Sequence, residues 1–498
     1  MKKITTYLIC LFFLLGCSDF EELNVDPDSP VTSTPNFLLP PVMSWTATSF
    51  FDHGEEMAYL TQQLATFSGF DKYHDRWDFV TANRIGQWRR HYHDISVNAK
   101  HVIESAAEEN STNYQGVAKV LYAFSTLRTT AIFGDMPYLE ALEGNPSPPY
   151  DPQSVIYEQV LIELDEAIEL LENTNLETVR KLTSAEDNIY QGDLNKWIGL
   201  AHAVKARALL HLTPNVNQNY TEVIAEVDLA LTTWDDAVFD YSVGVEGNAR
   251  QTNQWGPSQA DPDWNYGNNT LNSTAPGRFM LEEALQYDPI TNEVGDPRTA
   301  YLMTPNADTV YLSIVPSTGK VASFEDDEYP NLYGSYVTQD DAPMYLFRQE
   351  ELHFIKAEAL FNQGNASAAY DEVIQGITVN MDRAGVPDAE RNEFLASDMV
   401  PQTGTELTLS NIMMQKYVAL WLDGEVWTDM RRYGYDDQIY RGLQQPPNLA
   451  FYWNEGEWIE RLPYDTETEE IYNKPELDRL GAFQNPEWLK VPMIWAPQ

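Results

Sequence analysis

The chain has 498 residues, a formal net charge of -45, 12% aromatic residues, 29 prolines and 26 glycines. This length is sufficient for a large core and for about two to four domains. The acidic balance repels phosphate backbones, so nucleic acid is a poor partner and a densely anionic ligand is disfavoured.

The first residues have the pattern of a secretory signal. Two lysines precede an apolar run at residues 4–15 that is too short to span a bilayer. The LLGC run at residues 14–17 looks like a bacterial lipobox, which predicts that residues 1–16 are removed and that Cys17 carries lipid. The alternative is an ordinary signal peptide with a coincidental cysteine. Residues 17–36 contain prolines and lack periodicity, which is typical of an extended tether.

Helical periodicity then recurs along the first half of the chain. It predicts helices near residues 57–67, 85–104, 114–132, 193–212 and 223–231, the last two forming a hairpin. Asp151 and Pro152 are expected to be the N-cap and the first position of a further amphipathic helix. Trp197 lies on an apolar helical face, as do Trp421 and Trp427 later in the chain, so these three indoles are expected in the core.

The clearest helical unit covers residues 345–379. Apolar residues such as Leu352 and Ile355 recur at helical spacing, and Gly364 with Asn365 ends the first helix. A second apolar face follows, so the stretch predicts two helices joined by a tight turn. It resembles a tetratricopeptide unit whose consensus is met loosely. The alternative is an isolated helical hairpin in an ordinary all-α domain.

Two stretches lack clear helical periodicity and are rich in Gly, Asn, Pro and isolated aromatics, namely residues 241–344 and 435–498. The chain is therefore predicted to be predominantly all-α. Its tetratricopeptide-like scaffold is expected at about 37–240 and 345–434, including a long helix near 409–432. The two irregular stretches are expected to form loop-rich ligand-binding regions.

Aromatic residues in the predicted loops are the best candidates for a binding site. Sugar rings present flat C–H faces that exposed Trp and Tyr side chains bind, while nearby amides and acids bind the hydroxyls. The candidates are Tyr73, Trp77, Trp255, Trp264, Asn265, Tyr266 and Asn268. The alternative for each ring is packing beneath its own loop as a small satellite core. Residues 255–269 favour the binding interpretation, because three aromatics alternate there with polar and turn residues.

Catalytic and metal-binding patterns are weak. His91 and His93 are two residues apart on a predicted helix and so face different directions, which argues against a shared metal. The acidic run at residues 325–328 is a candidate for a structural Ca²⁺, but a solvated loop is the favoured interpretation. No nucleotide-binding, zinc-protease or serine-hydrolase motif occurs, so we predict a non-enzymatic protein without a cofactor. Arg431 and Arg432 lie at a helix end, where they are expected to cap carbonyls or pair with acids.

A series of short motifs resembles the SusD/RagB family of surface lipoproteins, in particular its SusD-like branch. In chain order the matching runs are NVDP (24–27), Trp88-x3-Tyr92 leading to Asn98, FGDMPY (133–138), Tyr150-Asp151, Gly192-Asp193-x3-Trp197 leading to Lys205-Ala206-Arg207, DPR (296–298), Phe354-x2-Ala357-Glu358-Ala359, Lys416-Tyr417-x3-Trp421, Gly424-Glu425-x-Trp427-x2-Met430-Arg431-Arg432 and RLPY (461–464). Each motif is weak alone, but their order and spacing are specific and extend over nearly the whole mature chain.

The resemblance implies a scaffold of about four tetratricopeptide-like helix pairs, an irregular ligand-binding face, no catalysis and a SusC-like TonB-dependent porin as partner. The acidic run after Cys17 is similar to the export signal of Bacteroidetes surface lipoproteins, which implies an outer-membrane anchor facing the extracellular side. We expect a glycan-binding lipoprotein that captures oligosaccharide or polysaccharide and delivers it to that porin. The alternatives are a peptide-binding RagB-like lid of a similar transporter and an exported hydrolase. The absence of hydrolase motifs counts against the last.

Overall fold

The computed structural model describes residues 33–69, 73–79, 86–173, 179–213, 215–216, 218–241, 252–260 and 270–497. The predicted signal at residues 1–16, Cys17 and most of the predicted tether lie outside these described residues. Within them, no helix combines the length and the apolar character that crossing a membrane requires.

Helices form most of the regular structure. They are α1 (Pro35–Leu60), α2 (Tyr73–Arg76), α3 (Gly86–Arg89), α4 (Val97–Glu108), α5 (Thr112–Phe133), α6 (Gln153–Glu172), α7 (Leu194–His211), α8 (Tyr220–Thr232), α9 (Thr299–Leu302), α10 (Gln349–Asn362), α11 (Ala366–Ala384), α12 (Asp388–Leu395), α13 (Leu409–Ala419), α14 (Glu425–Arg432), α15 (Glu469–Tyr472) and α16 (Lys474–Leu480). In the part of the chain that the structure describes, π-helical segments cover Arg90–Ser96, between α3 and α4, and Phe279–Ala284. Short 3₁₀ turns cover Pro257–Ala260, Thr270–Ser273, Asp326–Glu328, Leu332–Gly334 and Pro486–Lys490.

The strands of the described residues are short and form antiparallel pairs. The pairs are β1 (Leu64–Thr66) with β3 (Thr274–Pro276), β2 (Ala237–Phe239) with β6 (Met344–Phe347), and β4 (Tyr287–Asp288) with β5 (Glu293–Val294). In the first pair Ala65 lies opposite Ala275, so the chain leaving α1 is joined to the irregular region. The predominantly all-α class predicted from the sequence is confirmed.

Helices that are adjacent in sequence pack as pairs around a common core. α4 contacts α5, α5 contacts α6, α7 contacts α8 and α10 contacts α11, while α8 also contacts α10. The turn between α10 and α11 contains Gly364 with a φ of +83°, a conformation that favours glycine. Trp197, Trp421 and Trp427 are fully buried, which confirms their predicted place in the core.

The first helix differs from its prediction. α1 begins at Pro35 and not near residue 57, and it ends at Leu60, so residues 64–66 form β1 where a helix was predicted. Pro40 and Pro41 lie inside α1 and obscure its pattern, because proline removes a backbone donor and normally ends a helix. Burial of one side of α1 along its length offsets that cost.

The helix predicted near residues 409–432 is divided into α13 and α14. Leu422 between them has a φ of +58°, which an uninterrupted helix does not allow. A Cβ atom on Gly424 would lie 2.6 Å from the imidazole of His53, so the chain passes close to α1 at this point. The apolar pattern continues through the break because both halves are buried, and the sequence therefore does not reveal it.

The start of α6 is also capped differently from the prediction. The carboxylate of Asp135 accepts the Gln153 backbone N–H at 2.9 Å, which is the cap contact that was expected from Asp151. Asp151 instead accepts the backbone N–H groups of Tyr138 and Leu139 at 3.0 and 2.8 Å. It therefore holds the loop that follows α5.

Several of the short sequence motifs meet in the core as ion pairs. Arg207 donates to both oxygens of Glu351 at 2.7 and 2.6 Å. Arg432 donates to Glu358 at 2.5 Å and to Asp429 at 2.9 Å, and all three side chains are buried. Removing one partner from such a pair would leave an unpaired buried charge, so Arg207 and Arg432 each depend on their carboxylates. The predicted pairing of Arg432 with acids is confirmed.

Candidate ligand-binding site

The segment of the candidate Tyr73 and the residue that follows the candidate stretch 255–269 both contact the second half of α1. On one side, the Tyr73 hydroxyl donates to Glu56 at 3.0 Å and its ring stacks on His74 with centroids 3.8 Å apart. On the other side, the Thr270 hydroxyl donates to the carboxylate of Glu55. The structure therefore brings segments about 200 residues apart in the sequence to neighbouring carboxylates on one helix.

The predicted exposure of Trp77 and Trp255 is wrong. Trp77 has no exposed surface and packs against the rings of Trp453 and Trp458 at 5.3 and 5.5 Å between centroids. Trp255 is 4% exposed and meets Phe51 of α1 edge to face at 4.6 Å. Both indoles fill space between a loop and the core, so neither presents a face to a ligand.

Of the remaining candidates, the structure describes only Tyr73. Tyr73 is partly exposed beside α1. Four others lie outside the described residues, namely Trp264, Asn265, Tyr266 and Asn268. The described ends of their stretch are held at two points. Before it, Ser258 donates its backbone N–H and its hydroxyl to Asp340 at 2.9 and 2.6 Å, and after it Thr270 donates to Glu55.

The solvent side of α1 carries the residues that sequence reasoning missed. We call Trp45, Asp52, Glu55 and Glu56 the α1 face. Trp45 is 37% exposed and lies seven residues before Asp52, which is two helical turns. The sequence analysis predicted that the first helix begins near residue 57. It therefore did not recognise that Trp45, Asp52, Glu55 and Glu56 lie on one helix. Trp45 is therefore an indole that could contact a ligand and was not among the candidates.

Arg90 of the π-helical segment joins Trp45 and Asp52 of the α1 face. Its guanidinium lies 4.9 Å from the centre of the Trp45 ring. It also donates to Asp52 at 2.7 Å and to Asp94 at 2.8 Å. These contacts fix the indole and the carboxylate relative to each other, so the face is ordered without a ligand.

Burial changes the protonation of the groups around the α1 face. It raises the pKa of Glu55 from 4.5 to about 7, although the Thr270 hydroxyl acts in the opposite direction. Burial likewise raises the pKa of Asp52 against the effect of Arg90. For His74 burial lowers the pKa, but the nearby carboxylates of Glu56, Glu55 and Asp75 together outweigh it, so the pKa is raised. Glu55 is therefore a carboxyl of the α1 face whose charge changes near neutral pH.

A loop from the C-terminal region covers the other side of the 73–79 segment. The Ala450 backbone N–H donates to the Arg76 carbonyl at 2.9 Å, and the Tyr452 hydroxyl donates to the Trp77 carbonyl at 2.9 Å. Between them Phe451 is 98% exposed. This loop adds an exposed aromatic beside residues 76 and 77, again one that the sequence did not single out.

The histidines and acids considered for metal binding have other partners. The ring of His91 is buried and bonds to the Ser125 hydroxyl at 2.9 Å, whereas the side chain of His93 is 72% exposed. Within residues 325–328, Lys320 pairs with Asp326, and Glu325 and Glu328 form a capping box. Among the described residues, no group of three His, Cys, Asp or Glu side chains is arranged to hold a metal.

The fold and the site together define a helical-hairpin scaffold that carries a binding face built from its first helix and from distant loops. Residues 27–464 match the model of the SusD-like family, which is described as "Starch-binding associating with outer membrane". The chain therefore belongs to this family, and the resemblance noted in the sequence is confirmed. A comparison with curated protein sequences gives no match.

Solved structures of the family have the same fold. A SusD/RagB family protein from Bacteroides thetaiotaomicron is 21% identical, with a TM-score of 0.71, and the match covers 94% of this chain and 100% of that one. A chitin-binding protein is 18% identical, with a TM-score of 0.71 and coverage of 93% and 100%. A chitin-binding SusD homolog from Flavobacterium johnsoniae is 17% identical, with a TM-score of 0.68 and coverage of 93% and 96%.

Proposed function

We propose that this protein is a non-catalytic, lipid-anchored glycan-binding protein of the cell surface. It captures oligosaccharide or polysaccharide and delivers it to a SusC-like TonB-dependent porin of the outer membrane. Membership in a family described as starch-binding and associated with the outer membrane supports this proposal. Two proteins that share the fold are described as chitin-binding, which is the ligand class proposed here.

The observation that carries the proposal is the pairing of an exposed indole with polar groups on the α1 face. Trp45 offers a flat apolar surface, and Asp52 and Glu56 offer acceptors for sugar hydroxyls within two to three helical turns. Tyr73 extends this surface on the side of Glu56. The combination suits a neutral sugar, since the carboxylates repel an anionic one.

We further propose that the stretch ending at Thr270 completes the site. In this proposal Trp264 and Tyr266 stack on sugar rings, while Asn265 and Asn268 bind hydroxyls. The support is that Thr270 bonds to Glu55, so the stretch ends beside the α1 face. Trp77 and Trp255 act beneath the site, where they hold the 73–79 segment and the start of the stretch against the core.

Calorimetry on the soluble chain without residues 1–17 tests the proposal. We expect binding of malto- or chito-oligosaccharide, and Trp45→Ala should weaken it about 5- to 30-fold, because an aromatic contact contributes about 1 to 2 kcal/mol. Phe37→Ala is the matched control, as Phe37 is a 72% exposed aromatic at the opposite end of α1. Binding that is unchanged by Trp45→Ala would place the site elsewhere. Binding of peptides but of no glycan would support a RagB-like lid.

Two further measurements address delivery and catalysis. A pull-down from membranes solubilised in mild detergent should recover a porin of the TonB-dependent class with the protein. Recovery of the lipoprotein alone, even after cross-linking, would count against that partner. Incubation with a bound glycan should leave its chain-length distribution unchanged. New reducing ends that disappear when one acidic residue is replaced would show an enzyme instead.

A further inference from the structure

A cavity of about 400 Å³ lies between the π-helical segment Phe279–Ala284 and the helices α11 and α13, and its volume is within the range of small-ligand sites. We call it the α13 cavity. It shares no lining residue with the α1 face, with the 73–79 segment or with the stretch that ends at Thr270. Its lining includes Glu282, Met399, Asn411, Met414, Gln415 and Arg441.

Two side-chain amides on one face of α13 present donors at the cavity. The Oε1 atom of Gln415 accepts from the buried Arg298 at 2.5 Å, so the NH₂ group is the free end of this amide. The Oδ1 atom of Asn411 accepts the backbone N–H and the hydroxyl of Thr408 at 2.9 and 2.5 Å, which leaves its NH₂ group free in the same way. Both NH₂ groups are open to solvent and have no partner among the described residues. Because the two residues are four apart, α13 offers both donors on the same side.

The π-helical segment, which packs against α13, contributes an acceptor. Glu282 accepts from the Ser313 hydroxyl through Oε1 at 2.6 Å, and this bond fixes the carboxylate. Its Oε2 atom is open to solvent and is not paired with any cation in the described part of the chain. The nearby Arg278 pairs instead with Glu283, at 3.4 Å. A partly buried carboxylate oxygen of this kind is a strong acceptor for a ligand N–H or O–H group.

The apolar part of the α13 cavity is aliphatic. Met414 of α13 is 8% exposed, and Met399 and Pro401 of the loop that follows α12 are partly exposed. Tyr287 also lines the cavity, but it is 2% exposed and so offers no ring face to a ligand. Thioether side chains adapt to a small apolar group, whereas the flat face of a sugar ring is bound best by an aromatic ring. This wall therefore suits a methyl group better than a whole sugar face.

We propose that the α13 cavity binds the acetamido group of an N-acetylated sugar. An acetamido group has one acceptor, one donor and one methyl group, and the cavity has a part that matches each of them. The carbonyl oxygen accepts from Gln415 and Asn411, and the amide N–H donates to Glu282. The methyl group packs against Met399 and Met414. This inference rests on the proposed glycan-binding function and adds the chemical class of the sugar.

The charges around the cavity disfavour other small ligands. Glu282 and Glu283 repel an anion, and an ammonium group would leave the two amide donors of α13 without an acceptor. Arg441 is exposed, its Nε donates to the Ser410 hydroxyl at 3.0 Å, and its other N–H groups have no partner among the residues that the structure describes. These groups are available to the hydroxyls of the same sugar ring. A peptide contains the same amide group, so the experiment includes a peptide probe.

Saturation-transfer NMR with N-acetylglucosamine tests the inference, on the soluble chain without residues 1–17 and in the Trp45→Ala background. We expect the greatest saturation at the acetyl methyl group. Gln415→Glu keeps the oxygen that accepts from Arg298 and replaces the NH₂ donor by a second oxygen, so it should weaken binding about 5- to 10-fold. Gln375→Glu is the matched control, since it adds the same charge at an exposed glutamine of α11 that does not line the cavity. Thermal melts show that each variant is folded.

The outcomes separate this inference from the proposed function. A loss of binding in Gln415→Glu that Gln375→Glu does not share would support the site, and binding that Gln415→Glu leaves unchanged would overturn it. Equal binding of glucose and N-acetylglucosamine would overturn the assignment to an acetamido group. Tighter binding of N-acetylalanine methylamide than of the sugar would assign the cavity to a peptide.

Two further results concern the glycan itself. If the wild type binds chito-oligosaccharide but the Trp45→Ala variant gives no transfer to N-acetylglucosamine, the α13 cavity is not a sugar site and the proposed function stands. If the wild type binds no glycan at all, both the proposed function and this inference are overturned.

Discussion

The carboxyl of Glu55 should make the free energy of unfolding of this protein depend on pH, and one substitution, Glu55→Gln, should remove that dependence. Burial raises its pKa from 4.5 to about 7, so over this interval the folded chain keeps the proton that the unfolded chain releases. The contribution of Glu55 to stability is therefore fully present below about pH 4.5, decreases as the pH rises, and is lost above about pH 7. The difference corresponds to about 3 kcal/mol.

Glu55→Gln removes this titration and keeps an oxygen that accepts from the Thr270 hydroxyl. We therefore expect the variant to gain stability relative to the wild type as the pH rises, by up to about 3 kcal/mol between about pH 4.5 and pH 8. Thermal melts of the two proteins across this range measure the change. Asp75, whose pKa burial raises to about 6, titrates in the same direction in both proteins and so cancels in the difference.

The matched control is Glu158→Gln, since Glu158 is an exposed carboxyl on α6. Its melting temperature relative to the wild type should be nearly constant over the same range. A difference between Glu55→Gln and the wild type that does not vary with pH would refute the reasoning. It would mean that Glu55 is ionised in the folded chain at all these pH values, and that water or a cation reaches it.

Three other predictions follow from the same structure. Trp77→Ala should lower the free energy of unfolding by about 3 to 5 kcal/mol, whereas Trp45→Ala should change it by less than about 1 kcal/mol; equal melting temperatures would show that Trp77 is not buried. Trp264→Ala should weaken glycan binding about 5- to 30-fold with little change in the melting temperature, and a destabilised variant with unaltered affinity would move the site elsewhere. Cys17→Ala should leave the protein unprocessed or release it from membranes, and unchanged fractionation and palmitate labelling would exclude lipidation at this residue.

Short stretches of the sequence were enough to predict the helical scaffold. The α10–α11 hairpin could be located because its apolar spacing and the stop at Gly364 lie within a single stretch of about forty residues. The same holds for Trp197 and Trp427, whose place on a helical face already defines which way they point. Trp421 is buried as predicted, although it lies in the break between α13 and α14. The order of short motifs was likewise enough to identify the family, since it needs no knowledge of which motifs touch.

The candidate site depended on contacts between distant parts of the chain. From the sequence, Trp77 was predicted to be an exposed loop residue. In the structure Tyr452 and Trp453, more than 370 residues later, donate to its carbonyl and cover it. Trp45 was missed for a related reason, because Pro40 and Pro41 hide the helix on which it is exposed. Helical periodicity records only which side of an element is apolar. Whether a loop aromatic is covered or open is decided by the segment that packs on it, and only the tertiary structure supplies that partner.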